Sequence, residues 1–225
     1  MKFIKNKLLV AGIGTFQLLV AFIMYFIDQE LFLSAAITKL SWSILLVTLT
    51  ITSILLWFII NMYQDRLKRV NPRLLNLSPH WDYKRLIWAL IGILLILTVQ
   101  LICSNLNYYS SSINQTTLQN LQKNTNSIFN ILLVIVGPFF EELIFRGIFF
   151  NYFFLNPNKI SNILGILTNG ILFGVCHQSN IINLNFVNYA ICGCILAAIY
   201  LKTRDLRYSY LCHLANNLLA LITII

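Results

Sequence analysis

The amino-acid sequence predicts an all-α, polytopic membrane helix bundle with about seven transmembrane helices. Three observations carry that reading. Of the 225 residues, 58% are hydrophobic and only 10% are charged. The mean hydropathy is +0.76. Apolar segments long enough to cross roughly 30 Å of hydrocarbon recur along the whole chain. A soluble domain of this length needs a more polar surface than 16 Lys+Arg and 7 Asp+Glu supply, so lipid is the solvent for most of the outer side chains.

In order, the segments fall at 8–27, 41–63, 86–104, 128–150, 160–177, 186–201 and 208–225. The first follows Lys2, Lys5 and Lys7, as a signal peptide would. Its apolar core is long and no small-residue cleavage site follows directly, so it reads as a retained helix. Thirteen of the sixteen cations lie on alternate connections: the three N-terminal lysines, Arg66 to Arg85, Lys159, and Lys202 to Arg207. The positive-inside bias then sets the N-terminus and these connections in the cytoplasm, with the C-terminus outside. The net charge of +9 follows from topology and attraction to anionic lipid, with no nucleic acid partner needed.

Two connections exceed a turn. Residues 64–85 mix cations with apolar and aromatic positions, which suits a segment lying on the cytoplasmic surface and equally a solvated basic loop. Residues 105–127 are polar, nearly uncharged and rich in Asn, Ser and Thr, the composition of an extracytoplasmic loop. The chain divides into N-terminal helices and loops, 1–127, and a core, 128–225, that holds the informative polar residues. All five cysteines lie in or at the ends of apolar segments, against a disulfide framework. The Cys192-Gly193-Cys194 run reads as small residues at a helix contact rather than a redox or metal pair.

A charge inside the membrane is costly and faces a partner or a watery cavity. The stretch GPFFEELIFR at 137–146 places Glu141, Glu142 and Arg146 in an apolar run. Glu142 and Arg146 are four apart in the favoured order for a helical ion pair. Glu141 points about 100° away and has Phe145, not a cation, at its own four-residue position. It therefore needs a partner from another helix, and is a candidate acid, base or ligand. His177 ends FGVCH, with Phe173 one turn before it, and His213 begins HLANN, with Asn217 one turn after. Two imidazoles and a carboxylate suit Zn²⁺ or another divalent metal with a position open for water. Without a metal, Glu141 serves as general base toward water, and an amide such as Asn217 donates to a developing oxyanion. Peptide hydrolysis fits either set.

In this order, Glu141-Glu142-x-x-x-Arg146, Phe173-x-x-x-His177 and His213-x-x-x-Asn217 resemble the three motifs of the CPBP family, also called Abi proteins. These intramembrane proteases include type II CAAX prenyl endopeptidases and bacteriocin-processing or immunity proteins. The likeness covers residues 128–220. It implies that Glu141 activates the hydrolytic water, that His177 and His213 hold the metal or polarise the site, and that Asn217 stabilises the oxyanion. Glu142, Arg146 and Phe173 match the remaining motif positions, in catalytic or supporting roles.

The chain departs from many relatives in carrying Thr203-Arg204-Asp205-Leu206 where they have a Thr-Gly-Ser-Leu-like turn. Small size and composition suggest a bacterial cell membrane and a peptide or membrane-protein substrate. A non-catalytic immunity or scaffold protein is the alternative, and a transporter a more distant one. Simple helix counting places His177 near one face of the membrane and His213 near the other, with Glu141 between. Either the helices tilt and break, with Pro138 a plausible kink, or the boundaries of the last four segments are wrong.

Overall fold

A computed structural model describes residues 2–37, 41–106, 127–178 and 183–224, and among these all regular structure is helical. Helices α1 (Lys2–Ile37), α2 (Trp42–Arg69) and α3 (Tyr83–Leu106) form the N-terminal half. Helix α4 (Ser127–Glu142) continues into a π-helical stretch (Leu143–Ile148) and a short α5 (Phe149–Phe153). Helices α6 (Lys159–His177), α7 (Leu184–Thr203) and α8 (Leu206–Ile224) complete the bundle. The expected loop at 105–127 falls almost wholly outside the described residues.

The helical membrane bundle expected from composition is the fold observed. Among the described residues, five helices are long and apolar enough to cross a membrane: α1 from Leu8, α2, α3, α6 and α7. The other two expected crossings are helical but fall short of that standard, so seven is an approximate count. One is interrupted by the π stretch and the other carries Arg207, Ser209, His213, Asn216 and Asn217. Boundaries of the last four segments hold within three residues. The first two expected segments end too early, because α1 runs on to Ile37 and α2 to Arg69. Asp28, placed beyond the first segment by sequence, is therefore buried inside the helix pair, where Thr52 Oγ1 donates to its Oδ1 at 2.6 Å.

Outer faces are apolar and exposed, with Phe16, Trp42, Leu94 and Ile160 all more than 60% accessible. Such surface is tolerable only in lipid. Inward, α7 lies among α3, α6 and α8. The close approach of α6 and α7 depends on glycine. A Cβ on Gly193 would stand 2.7 Å from that of Phe173, and one on Gly170 would strike Cys194 and the Ala190 carbonyl. This bears out the packing reading of Cys192-Gly193-Cys194. The five cysteines are free.

The cation-bearing connections meet at one end of the bundle. Arg73, expected on a surface segment or solvated loop, is buried. Its guanidinium donates to the Phe154 carbonyl, to Asn156 O at 2.6 Å, to Ser161 Oγ at 2.9 Å and to Asn162 Oδ1 at 2.5 Å. Burial pushes this guanidinium below its ordinary pKa. Leu75 is buried beside it, while Leu74, Leu77 and Trp81 stay exposed. The departure noted at 203–206 also docks here. Arg204 adopts the left-handed conformation with φ 55°, where a helix C-terminus favours glycine. Asn76 N–H donates to its carbonyl at 2.7 Å, and Asp205 Oδ1 accepts from Arg207 N–H at 3.1 Å as a cap for α8. Arg204-Asp205 thus makes the turn from α7 into α8.

Candidate active site

The π stretch begins one residue after Glu142, and all six of its residues are buried. Its wider i→i+5 turn, closed by Phe149 N–H on the Ile144 carbonyl, follows Pro138, which has no N–H to give to α4. This broken segment crosses close to α1, α6 and α8. The boundaries hold within three residues, so they are not the source of the mismatch in depth. Counted from the end they share, His177 and His213 differ by about 16 Å along their axes, yet both reach the same carboxylate.

Glu142 and Arg146 behave as the sequence predicts. Arg146 Nη1 lies 3.1 Å from Glu142 Oε1, and both side chains are fully buried. Arg146 also donates from Nη2 to the Gly193 carbonyl at 3.2 Å and stands 4.9 Å over the Phe173 ring. It therefore ties the π stretch to α6 and α7. Asn169 adds a second tie, donating to the Phe145 carbonyl inside the stretch.

Glu141 finds its partners on three other helices. Tyr25 of α1 donates to Oε1 at 2.6 Å. Oε2 lies 3.5 Å from His177 Nε2 and 3.5 Å from His213 Nε2, and is buried without a hydrogen bond. The opposite nitrogens explain why. His177 Nδ1 is 2.8 Å from the Phe173 carbonyl, and His213 Nδ1 is 3.1 Å from Glu142 Oε1. Both partners accept only, so each Nδ1 carries hydrogen. In the neutral rings each Nε2 then presents a lone pair, and both lone pairs face the same carboxylate oxygen. Three acceptors converge, which is favourable only with a proton, water or cation among them.

Aromatic packing fixes the rings. His177 is sandwiched between Phe173 at 4.1 Å and Tyr189 at 4.8 Å between centroids, while Phe173 meets His213 edge-on at 5.6 Å. Phe173, 2% exposed, is thus the wall against which both imidazoles are set. Tyr25, Asn169 and Tyr189 were missed from sequence. Polar Asn169 within an apolar run was the one usable signal, since tyrosines are common at membrane helix positions.

Asn217 stands one turn beyond His213 on α8, and its Oδ1 accepts from Asn216 Nδ2 at 3.3 Å. Asn216 in turn accepts from Gln100 at 2.7 Å. Among the described residues, no hydrogen bond joins Asn217 to the glutamate and histidine cluster. Nor do three His, Cys, Asp or Glu groups among those residues stand close enough together, as placed, to hold a metal ion. The donor chemistry nevertheless suits a divalent cation: two Nε2 lone pairs, an orphaned carboxylate oxygen, and both Nδ1–H groups anchored as metal-binding imidazoles require.

Comparison with known proteins agrees with these motifs. Residues 123–219 match the family described as type II CAAX prenyl endopeptidase Rce1-like. The protein named "Putative membrane peptidase YdiL" of Bacillus subtilis (strain 168) is 26% identical over 141 residues, 59% of this chain and 53% of that relative. The match thus spans about half the length of that curated protein. No solved structure matches the chain.

Proposed function

We propose that this chain, a CPBP-family membrane protein by its motifs and by the match over 123–219, is an intramembrane endopeptidase that cleaves a membrane-associated peptide or protein. The observation that carries the reading is the buried, unbonded Glu141 Oε2 facing two imidazole nitrogens at 3.5 Å. A water held there donates to Glu141 Oε2 and is poised to attack a peptide carbonyl as the carboxylate takes its proton. Tyr25 restrains Oε1, which leaves Oε2 as the working oxygen.

His177 and His213 would hold Zn²⁺ or another divalent cation through Nε2. Such a cation, when bound, supplies Lewis acidity that makes water a stronger nucleophile near neutral pH. Glu142 receives the His213 Nδ1–H and keeps the ring turned toward Glu141, while Arg146 holds Glu142. Asn217 is assigned to the oxyanion, which requires its amide to turn from Asn216 toward substrate. A bacterial peptide precursor or membrane protein is the proposed substrate class.

Cleavage of membrane-tethered peptides by the detergent-purified protein tests this reading. Wild type is expected to cleave, and Glu141→Gln and His213→Ala to be inactive while folded. Loss of wild-type cleavage on chelation, restored by a divalent ion, identifies the metal form. Absence of cleavage by folded wild type would overturn the proposal and favour an immunity or scaffold protein.

A further inference from the structure

Away from the carboxylate cluster, a cavity of about 400 Å³ opens between α1 and α2 and reaches Tyr152 of α5. That size is typical of small-ligand pockets. Its lining changes character along its length. Arg66 and Arg69 stand at the end formed by the last turn of α2, with Ile13 of α1 beside them, whereas Trp57 and Phe58 line the rest. Nine residues separate Arg66 from Trp57, about 13 Å along the helix. The cationic end therefore sits in the headgroup layer when the apolar part lies in hydrocarbon. Trp57, Phe58 and Ile13 are exposed on the outer face, so the groove is open to lipid sideways.

The polar end is built but unfinished. Arg66 Nε donates to the Asn151 carbonyl at 3.0 Å, and its guanidinium lies 4.2 Å over the Tyr152 ring. Its Nη2 is buried and has no hydrogen-bond partner, as is Gln17 Oε1, also in the lining. A guanidinium fixed at one edge, with a nitrogen that has no partner, is a site for a phosphate oxygen once the side chain turns it to the groove. Gln17 hydrogen-bonds Tyr152 through its side chain and leaves Oε1 for a headgroup hydroxyl. Asp65 is the one acid in the lining, and it is exposed to water at the rim.

We infer that this groove binds one molecule of an anionic phospholipid with a hydroxylated headgroup, its phosphate on Arg66 and Arg69, the start of an acyl chain past Ile13 and the rest along Trp57 and Phe58. Charge complementarity and continuity with the bilayer select this occupant. The inference does not rest on peptidase activity.

The test uses the full chain in detergent, with native mass spectrometry for lipid retention and thermal unfolding with added phosphatidylglycerol or phosphatidylcholine. Phosphatidylglycerol is expected to be retained as a single adduct and to raise the melting temperature, with phosphatidylcholine doing neither. Arg69→Gln should lower retention at least about threefold, and Ile13→Trp should block it. Arg66→Gln should act likewise, but it also breaks the Asn151 contact, so the exposed Arg69 is the decisive variant. Lys68, at the same helix end but outside the lining, should be neutral as Lys68→Gln. Equal retention of both lipids, an equal effect of Lys68→Gln and Arg69→Gln, or full stabilisation by glycerol phosphate alone would each overturn the inference.

Discussion

Two polar regions of this bundle are buried and end up in opposite states. At the end of the bundle, Arg73 gives its hydrogens to four oxygens of 154–162. Beside it, Tyr208 Oη accepts from Asp82 N–H and donates to the His80 carbonyl, both at 2.8 Å. Donors meet acceptors throughout. Mid-bundle, Glu141 Oε2 instead faces two imidazole nitrogens at 3.5 Å and has no hydrogen bond. The first arrangement is complete and gives only structure. The second is completed by a proton, water or cation among the three groups, and that incompleteness is what a reaction can use.

That contrast is tested most severely by Glu141→Gln. An amide keeps the shape but cannot take a proton from water, so cleavage should fall by about 10³-fold while thermal unfolding changes little. Next comes Arg146→Met, which leaves Glu142 buried without its cation. About 3–5 kcal/mol of stability should be lost, and Glu142→Gln in the same chain should recover part of it in denaturant titrations. Arg73→Ala should cost about 2–3 kcal/mol and open 70–82 to proteolysis, with cleavage per folded molecule near wild type. Tyr25→Phe should slow cleavage about tenfold, since one charge-assisted hydrogen bond to Oε1 is removed, and kcat rather than KM should carry the loss. The smallest effect is a gain: Arg204→Gly relieves a left-handed residue and should stabilise by about 1 kcal/mol, visible as a higher melting temperature with unchanged activity.

Composition and segment length made the bundle legible before any coordinates, because lipid imposes uniform apolar runs. The Glu142–Arg146 pair was legible too, since four-residue spacing is local and survives the π stretch at 3.1 Å. The need of Glu141 for a distant partner was visible by elimination, but the identity of Tyr25 was not. Nothing local relates residues 25 and 141, and apolar-all-round helices conceal their rotational phase. Arg73 was read as surface because a cation in a polar connection looks solvated. Its burial depends on carbonyls of 154–156 that no residue-type pattern reveals. Straight-helix counting sets the two histidines about 16 Å apart along their axes, yet both lie 3.5 Å from one carboxylate oxygen, a convergence that spacing along the chain does not reveal.

The most direct measurement compares Glu141→Gln with Glu142→Gln, adjacent residues assigned different work. Both are assayed for cleavage of a membrane-tethered peptide and for melting temperature, beside wild type. The expected result is that Glu141→Gln is inactive at a near-wild-type melting temperature, whereas Glu142→Gln lowers the melting temperature because Arg146 loses its partner. Cleavage by Glu141→Gln within tenfold of wild type would contradict the assignment of Glu141 as the base.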